Sequence, residues 1–381
     1  MTDLSWPAKT SLSVIVLMLI DLTGAWFVDP NHLYRMDAKA TFSEEIRREA
    51  AGVIKNAEFD CLIIGTSMMA NIDHNFASKT VGANCINLSI LGASFFERSL
   101  VINKSIKNQP IKKIIFSLDY LGNRNKPNPA VNIQSFDFLY DDSEINDITA
   151  YVGFRWLNLT AYFNRKNIST TDFRDSLMEA VRWDEENSIN NDRFGGIQNW
   201  ILGPEDKVSA EEIKTIINNI NQKTNEIDNL KMAELLSNQN LILKDIEKII
   251  QDNPDINFYA ILPPYSLLRH SLDANFNMEK LMLYQDKIRG IVSISSRNKN
   301  IKVFGFDNMY FVKDLSYYKD TRHYNRVVSN FITKSLIVED NVLDSLSVEF
   351  YLNELNKNIN AYDLNAFKIE MQSILLRKGF K

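Results

Sequence analysis

Short apolar runs recur along the chain, and segments with helical spacing separate most of them. The clearest runs are 61–64, 84–88, 113–118, 257–262 and 301–306. Apolar runs of this length are typical of strands that are buried on both faces of a parallel sheet. The sequence therefore predicts an α/β fold, a three-layer sandwich in which helices cover both faces of a central parallel sheet.

The composition is that of a folded globular protein, with 45% apolar and 24% charged residues among 381. The formal net charge of −5 provides no basic surface for a phosphate backbone, so we expect no nucleic-acid partner. The sequence contains no HExxH, CxxC or P-loop motif, and we therefore expect neither a metal ion nor a cofactor.

The chain has two cysteines, Cys61 and Cys85, and both fall at the starts of predicted strands. Two cysteines are too few for a disulfide framework or a zinc cluster. We expect two buried free thiols, and a bridge between neighbouring strands is the alternative if the compartment is oxidising.

The N-terminal segment is strongly apolar. From 12 to 28 it carries one charged residue, Asp21, and its length of roughly 17 residues is at the short end for a membrane-spanning helix. We expect residues 1–29 to be an uncleaved signal anchor that holds an exported body at the membrane. The alternative is a cleaved signal peptide, since 23–25 (Thr-Gly-Ala) is an acceptable cleavage site.

Asp21 is unusual inside such an apolar segment. A charged side chain at the centre of a membrane helix costs about 2.5–3.5 kcal/mol on insertion scales. We therefore expect Asp21 either to face a partner helix or to lie near the membrane interface.

Beyond the anchor the sequence predicts three further regions. A connector helix is expected within 30–58. The main α/β domain is expected at 59–333, interrupted by a large helical insertion at about 123–255, where the strand–helix alternation gives way to polar sequence. A helical extension follows at 334–381.

Two polar motifs follow predicted strands at their carboxyl ends, where ligands bind in α/β sheets. Gly65-Thr66-Ser67 comes directly after the first strand, and Asp320 and His323 lie beyond the fifth. A serine hydroxyl becomes a nucleophile when a base takes its proton, and a carboxylate beside the histidine fixes the imidazole tautomer. The sequence predicts Ser67 as nucleophile, His323 as its base and Asp320 as the residue that orients the base.

Acyl transfer through a serine ester also needs hydrogen-bond donors for the oxyanion of the tetrahedral intermediate. The backbone N–H groups of Ser67 and Gly92 are the candidates. Gly92 lies in the turn after the second strand, and glycine permits a close approach of the backbone.

Other candidate residues have simpler interpretations. His74 is expected on a solvated helix face, with a pocket position as the alternative, and His270 is expected on the surface. Arg322 is interpreted as a surface ion-pair residue, with an anionic or sugar substrate as the alternative. Three tryptophans of the insertion are expected in the core rather than stacked on sugar rings, namely Trp156, Trp183 and Trp200.

Four segments resemble, in their order along the chain, the sequence blocks of the SGNH/GDSL hydrolase superfamily. They are GTS at 65–67, NLSILGAS at 87–94, SLDY at 117–120 and DTRHYN at 320–325. More narrowly, the chain resembles the membrane-anchored SGNH-like proteins of bacterial envelopes. The D protein of lipoteichoic-acid D-alanylation and the alginate O-acetylation proteins belong to that group.

This resemblance implies an SGNH-like (flavodoxin-like) fold with Ser67, Asp320 and His323 as catalytic residues and Gly92 in the oxyanion hole. It implies a serine O-acyltransferase or esterase acting on acyl groups of a cell-surface polysaccharide. The enzyme would be anchored in the bacterial cytoplasmic membrane with its domain in the periplasm. The expected partners are an acylated glycan or acyl donor and a membrane-bound O-acyltransferase, and the alternative function is a weakly or non-catalytic subunit of that acyltransferase.

The third block departs from the family pattern. It has Asp119 at the position where the family supplies an asparagine side chain to the oxyanion hole. An ionised carboxylate repels a developing oxyanion, so Asp119 contributes to the hole only in its protonated form. Asn123 is the alternative donor, and Asp119 is then interpreted as a structural carboxylate at the strand end.

Overall fold

The computed structural model of this chain describes residues 5–37, 42, 46–129, 136–153, 157, 172–182, 190–221 and 228–380. The chain forms two compact units. The first consists of Met1–Phe59, Ser99–Pro110 and Ala130–Val181, and the second of Asp60–Arg98, Ile111–Pro129 and Arg182–Lys381. The predicted insertion at 123–255 is therefore shared between the two units.

The second unit contains a six-stranded sheet in the order β2-β1-β3-β4-β5-β6. The strands are β1 (Cys61–Ile64), β2 (Cys85–Asn87), β3 (Lys113–Ser117), β4 (Asn257–Leu262), β5 (Ile301–Gly305) and β6 (Val342–Leu343). The first five pair in parallel, and their order is that of flavodoxin-like doubly wound sheets.

The predicted α/β class and its five strands are confirmed, with one correction to the predicted parallel sheet. β6 pairs antiparallel with β5, so the sheet is mixed. This short strand lies within 334–381, where the sequence predicts only helices. Its two residues, Val342 and Leu343, are too few to give a strand pattern.

Two helices precede the first strand, and the others lie between the strands or follow the last one. In chain order they are α1 (Trp6–Val28), α2 (Glu49–Asn56), α3 (Ser67–Ala70), α4 (His74–Val81), α5 (Phe95–Asn108), α6 (Phe173–Val181), α7 (Lys207–Asn221), α8 (Asn229–Asp252), α9 (Leu267–Phe276), α10 (Met278–Arg297), α11 (Arg326–Val338), α12 (Val348–Ala361) and α13 (Leu364–Arg377). Short 3-10 turns lie at Asp137–Tyr140, Asn146–Ala150, Asn191–Arg193, Ile197–Asn199, Tyr310–Lys313 and Leu315–Tyr317.

Both faces of the sheet are buried. Successive residues of a strand point to opposite faces, so each strand contributes to two layers of core. One face packs with residues of α3, α4, α9 and α11, and its strand residues include Cys61, Ile63, Ile115, Ile261 and Phe304. The alternate residues are also buried, among them Leu62, Ile64, Ile114, Phe116 and Val303. This double burial explains why the strands are continuous apolar runs rather than alternating ones.

A disulfide joins Cys61 of β1 to Cys85 of β2. The expectation of two free thiols is therefore wrong. The parallel register sets these two residues directly opposite each other, with their Cα atoms 4.2 Å apart. The sequence indicates neighbouring strands, but a shift of register by one residue would turn the two side chains to different faces.

The first unit contains α1, which has 23 residues. Within the described part of the chain, it is the one helix long and apolar enough to span a membrane. It ends where Asp29 adopts a left-handed conformation, with φ of 42°. The carboxylate of Asp29 then accepts hydrogen bonds from the N–H groups of Leu33 and Tyr34, both at 2.9 Å. The connector helix predicted within 30–58 is short, since α2 begins at Glu49.

Replacing both cysteines by alanine should lower the free energy of unfolding by about 3 kcal/mol, because the bridge closes a loop with a sequence separation of 24. Chemical denaturation of the Cys61→Ala/Cys85→Ala variant, compared with oxidised and reduced wild type, measures this loss. Reduced wild type should resemble the variant. Equal stability of all three would contradict a structural role for the bridge.

Candidate active site

Ser67 follows the carboxyl end of β1, which lies between β2 and β3 in the sheet. It is the first residue of α3, and Thr66 is the N-cap, whose side-chain oxygen accepts a hydrogen bond from Met68 N–H. Gly65 makes this sharp turn possible. A Cβ atom at Gly65 would lie 2.3 Å from Met69 Cγ and 2.7 Å from Ser117 Oγ, so no side chain fits between the turn and β3.

His323 lies in a loop between β5 and α11. The loop is closed by an isolated antiparallel bridge between Tyr318 and Tyr324 and by a hydrogen bond from Lys319 N–H to the carbonyl of His323, at 3.0 Å. The Tyr324 hydroxyl donates to the carbonyl of Met68, at 2.5 Å. Because Met68 follows Ser67 directly, this contact ties the loop of His323 to the turn that carries Ser67.

Three predicted side chains form a continuous hydrogen-bonded chain. Ser67 Oγ lies 2.9 Å from His323 Nε2, and His323 Nδ1 lies 2.6 Å from Asp320 Oδ2. The other carboxylate oxygen, Oδ1, accepts the backbone N–H groups of Arg322 at 2.8 Å and of His323 at 2.9 Å. The structure thus brings together residues that are more than 250 positions apart in the sequence.

The contacts of Asp320 determine which tautomer the imidazole of His323 adopts. Burial by itself raises the pKa of Asp320, but the charge of His323, its imidazole hydrogen bond and the two backbone donors act in the opposite direction and prevail. The pKa of this carboxyl is therefore held well below its usual range. Whenever the imidazole is neutral, an ionised Asp320 holds its proton on Nδ1, which leaves Nε2 as the acceptor for the Ser67 hydroxyl.

The helix that follows the loop has its own cap. Asn325 Oδ1 accepts hydrogen bonds from the N–H groups of Val327 at 3.1 Å and Val328 at 3.4 Å. His323 is therefore not needed to cap α11, and its ring is available to Ser67 and Asp320.

The two predicted backbone donors lie in constrained turns. Ser67 N–H is in the first turn of α3, where amides point out of the helix along its axis. Gly92 has a φ of 65°, in the left-handed region that favours glycine. Its carbonyl accepts a hydrogen bond from Asn128 Nδ2 at 2.7 Å, which fixes the conformation of the turn.

Asp119 is part of a buried network rather than an exposed carboxylate. Its two oxygens accept hydrogen bonds from the hydroxyls of Thr66 and of Ser117, the latter at 2.5 Å. Arg98 Nη1 lies 3.9 Å from Asp119 Oδ1, and both side chains are at most 3% exposed. These contacts use the carboxylate as an acceptor, so they support the structural interpretation of Asp119 and give no support to a donor role in the oxyanion hole.

Two cations hold the loop after β3. Arg98 donates to the carbonyls of Ser117, at 2.5 Å, and of Tyr120. Lys287 Nζ donates to the carbonyl of Asp119 at 2.9 Å. Burial lowers the pKa of Lys287 to about 8, although the charge of Asp119 acts in the opposite direction.

Asn123, the alternative donor, is exposed. Its side-chain oxygen accepts a hydrogen bond from Asn125 N–H at 2.9 Å, within a local turn. Its role in the oxyanion hole stays a prediction.

Two histidines lie where the sequence does not predict them. His74 is fully buried at the start of α4, so the expected solvated face is wrong. His270 is also buried, and its Nε2 lies 2.9 Å from Asp307 Oδ1. The hydroxyls of Tyr284 and Tyr351 donate to the other oxygen of Asp307, at 2.5 and 2.7 Å. The expected surface position of His270 is therefore wrong.

The remaining candidates lie at the periphery or in the core. Arg322 is exposed, and it contacts Asp320 through its backbone N–H. Trp200 is buried, and its Nε1 donates to the carbonyl of Tyr318 at 2.8 Å, so the core interpretation is confirmed for this residue. Trp156 and Trp183 lie outside the described residues. Within the described residues there is no group of three or more His, Cys, Asp or Glu side chains able to hold a metal ion.

Sequence reasoning missed several residues that position the site. Ser266 Oγ donates to the carbonyl of Thr321 at 2.6 Å, and Asn87 Nδ2 donates to the carbonyl of Met69 at 3.0 Å. Arg98 belongs to the same group. Asn87 falls in one of the resembling blocks, whereas Ser266 and Arg98 carry no motif that would single them out.

Comparison of the chain with protein-family models, with curated proteins and with solved structures finds no significant match in any of the three.

Removal of the buried guanidinium should destabilise the fold strongly. Arg98→Met leaves the Asp119 carboxylate and two carbonyls with fewer partners, and we expect a loss of about 3–5 kcal/mol in the free energy of unfolding. Arg289→Met is the matched control, because the Arg289–Glu349 pair is exposed and should be worth at most about 1 kcal/mol. Denaturant titration measures both losses, and equal losses would contradict the network.

The lowered pKa of Asp320 predicts a pH-dependent contribution to stability. An ordinary aspartate in the unfolded chain has a pKa of about 3.9, so the carboxylate stabilises the fold above that pH and loses its effect as the pH falls further. Asp320→Asn should therefore be less stable than wild type at pH ~7, with a smaller difference at pH ~3. Unfolding titrations at both pH values test this, and a difference that grows on acidification would contradict it.

Proposed function

We propose that this protein is a membrane-anchored, extracytoplasmic serine O-acyltransferase or esterase of the SGNH type. Its substrates would be acyl groups of a cell-surface polysaccharide. The single observation that carries the proposal is the hydrogen-bonded chain from Ser67 through His323 to Asp320 at the carboxyl edge of the sheet. The four sequence blocks that resemble the SGNH/GDSL superfamily support the same chemistry.

The first half-reaction forms an acyl-serine ester. His323 Nε2 takes the hydroxyl proton as Ser67 Oγ attacks the carbonyl carbon of the acyl donor. The Ser67 and Gly92 amides would stabilise the oxyanion of the tetrahedral intermediate. The intermediate collapses with loss of the donor alcohol, which receives the proton from the imidazolium, and Asp320 stays ionised throughout.

The second half-reaction repeats these steps with a new acceptor. A hydroxyl oxygen attacks the acyl-serine ester, His323 takes its proton, and Ser67 is restored when the imidazolium returns a proton to Oγ. A sugar hydroxyl as acceptor gives acyl transfer, and water gives hydrolysis. If the protein is anchored beside a membrane-bound O-acyltransferase, that partner would supply the acyl group. This arrangement would favour transfer over hydrolysis.

One feature supports the membrane anchor, and another supports a location of the domain outside the cytoplasm. α1 is long and apolar enough to cross a membrane. The Cys61–Cys85 disulfide is the form of a cysteine pair that persists in oxidising compartments such as the bacterial periplasm. We infer a single-pass protein of the bacterial cytoplasmic membrane with its domain on the periplasmic side.

The competing function is a weakly or non-catalytic subunit of a membrane-bound O-acyltransferase. The carboxylate at Asp119, in place of a donor, is the sequence feature that favours it. The contacts of Asp119 with Thr66 and Ser117 weaken that argument, because they engage its charge within the protein. A reactive Ser67 would favour the enzyme over the non-catalytic subunit.

A serine-directed fluorophosphonate should label the purified wild-type protein and leave Ser67→Ala unlabelled. Ser345→Ala is the matched control, since this serine is exposed near the end of β6, and its labelling should equal that of wild type. His323→Ala should react on the order of 10²–10⁴-fold more slowly, the usual contribution of a general base.

Gel fluorescence over time gives these rates. Equal labelling of wild type and Ser67→Ala would contradict the assigned nucleophile. An unlabelled wild type, with its fold intact by circular dichroism, would favour the non-catalytic subunit.

A further inference from the structure

The buried carboxylate of Asp21 has a partner within the first unit. Its Oδ2 accepts a hydrogen bond from Gly153 N–H at 2.8 Å, and the residue is only 6% exposed. Apolar side chains of the same helix, such as Leu17 and Ile20, are more than 50% exposed. A turn formed by Tyr151, Val152 and Gly153 therefore lies against α1 at the level of Asp21, and we call it the 151–153 turn.

The two tryptophans of α1 indicate how deep each position of the helix lies in a bilayer. Trp6 and Trp26 are 79% and 53% exposed, and tryptophan favours the two interfaces of a bilayer. At about 1.5 Å per residue they lie about 30 Å apart along the helix axis, which is the thickness of a hydrocarbon core. On this scale the Cα of Asp21 lies about 7.5 Å inside the Trp26 boundary. Side chains tilt toward the helix N-terminus, so its carboxylate reaches deeper still.

A second contact holds the turn at the end of the helix. The Tyr151 hydroxyl donates to Asp29 Oδ1 at 2.6 Å and accepts from Asn31 N–H at 3.0 Å, and Tyr151 is fully buried. The side chain of Tyr151 thus lies at the level where α1 ends, while the backbone of Gly153 reaches Asp21. The turn runs alongside the last turns of the helix, toward the bilayer interior.

The chemistry of the turn suits that depth. A backbone N–H without a partner costs several kcal/mol in hydrocarbon, and an ionisable side chain there is costly as well. The hydrogen bond between Gly153 and Asp21 satisfies both groups at once. The tip of the turn presents Val152, 45% exposed, and Gly153, where an added Cβ would meet no atom within 4 Å.

We propose that the 151–153 turn is inserted into the outer boundary of the bilayer beside α1, with lipid around Val152 and with Asp21 as the acceptor that holds it. This inference rests on the proposed membrane anchoring by α1. It gives the first unit a second attachment to the membrane and fixes which side of α1 faces the 151–153 turn. It also explains why an acidic residue occurs in this apolar helix, and the explanation requires no partner helix.

Spin labelling of the full chain in nanodiscs of phosphatidylethanolamine and phosphatidylglycerol tests the proposal. Because both native cysteines are in the disulfide, an introduced cysteine is the single reactive thiol. Nitroxides are attached to Val152→Cys, to Val16→Cys in the middle of α1 and to Ile145→Cys. Ile145 is the matched control, an apolar residue of the first unit that is 88% exposed beside the Lys55–Glu144 ion pair.

Collision with oxygen and with a water-soluble nickel chelate reports the depth of each label. The label at position 152 should be shielded from nickel and accessible to oxygen, at a depth between those of positions 145 and 16. A label at 152 as accessible to nickel as that at 145 would overturn the proposal. A label shielded from both reagents would also overturn it, since protein rather than lipid would then surround Val152. Nickel access at position 16 would instead refute the anchor itself.

Two variants separate the effect of the Asp21–Gly153 hydrogen bond on the depth of the turn from the effect of the Asp21 charge. Asp21→Asn keeps an acceptor for Gly153 N–H and should leave the depth at position 152 unchanged. Asp21→Leu removes the acceptor and should move that label toward water, while the depth at position 16 stays the same. An unchanged depth in Asp21→Leu would contradict the role of Asp21.

Discussion

Parallel pairing of β1 with β2 on one side and with β3 on the other fixes the position of Ser67. β1 ends at Ile64, directly beside Phe116 of β3, so the turn that follows must pass over Ser117. Only a glycine at position 65 leaves room for that passage. The turn that carries Ser67 is therefore held by the sheet itself, and the loop of His323 reaches it from the carboxyl end of β5.

Buried charged side chains lie at the same edge of the sheet. Each of them needs a hydrogen-bond or ion-pair partner, and this is the main structural requirement of the site. Asp119 has two hydroxyl donors and a nearby guanidinium, while Arg98 and Lys287 take up the carbonyls of the loop after β3. Isolated buried charges would cost several kcal/mol each, whereas this set is internally paired. A rigid loop after β3 follows from that pairing, next to the turn that carries Ser67.

Much of the second unit is predictable from local sequence, and the predictions that were wrong have a common origin. The five parallel strands appear as continuous apolar runs because both sheet faces are buried, and the ends of these strands agree with the prediction within one residue. Ser67, Asp320 and His323 are predictable because each follows a strand at the same edge. Residues whose role depends on a distant partner are not.

Particular residues show this limit. Nothing near His270 in the sequence indicates Asp307, yet their contact buries both side chains. The Cys61–Cys85 bridge depends on strand register, which the apolar pattern leaves open. Asp119 looks like a defect in a motif until Thr66 and Ser117 are seen to surround it. In each case the missing information is a long-range contact rather than a local propensity.

The central claim is that Ser67 is activated by His323 and carries the acyl group, and trapping that acyl group tests it most directly. The protein is mixed with an activated acetate ester, quenched in acid and digested, and the acetylated peptide is sequenced by mass spectrometry. The account predicts acetyl on Ser67 in wild type and none in His323→Ala. Acetylation of Ser67 that is unaffected by His323→Ala, or its absence from wild type, would contradict the account.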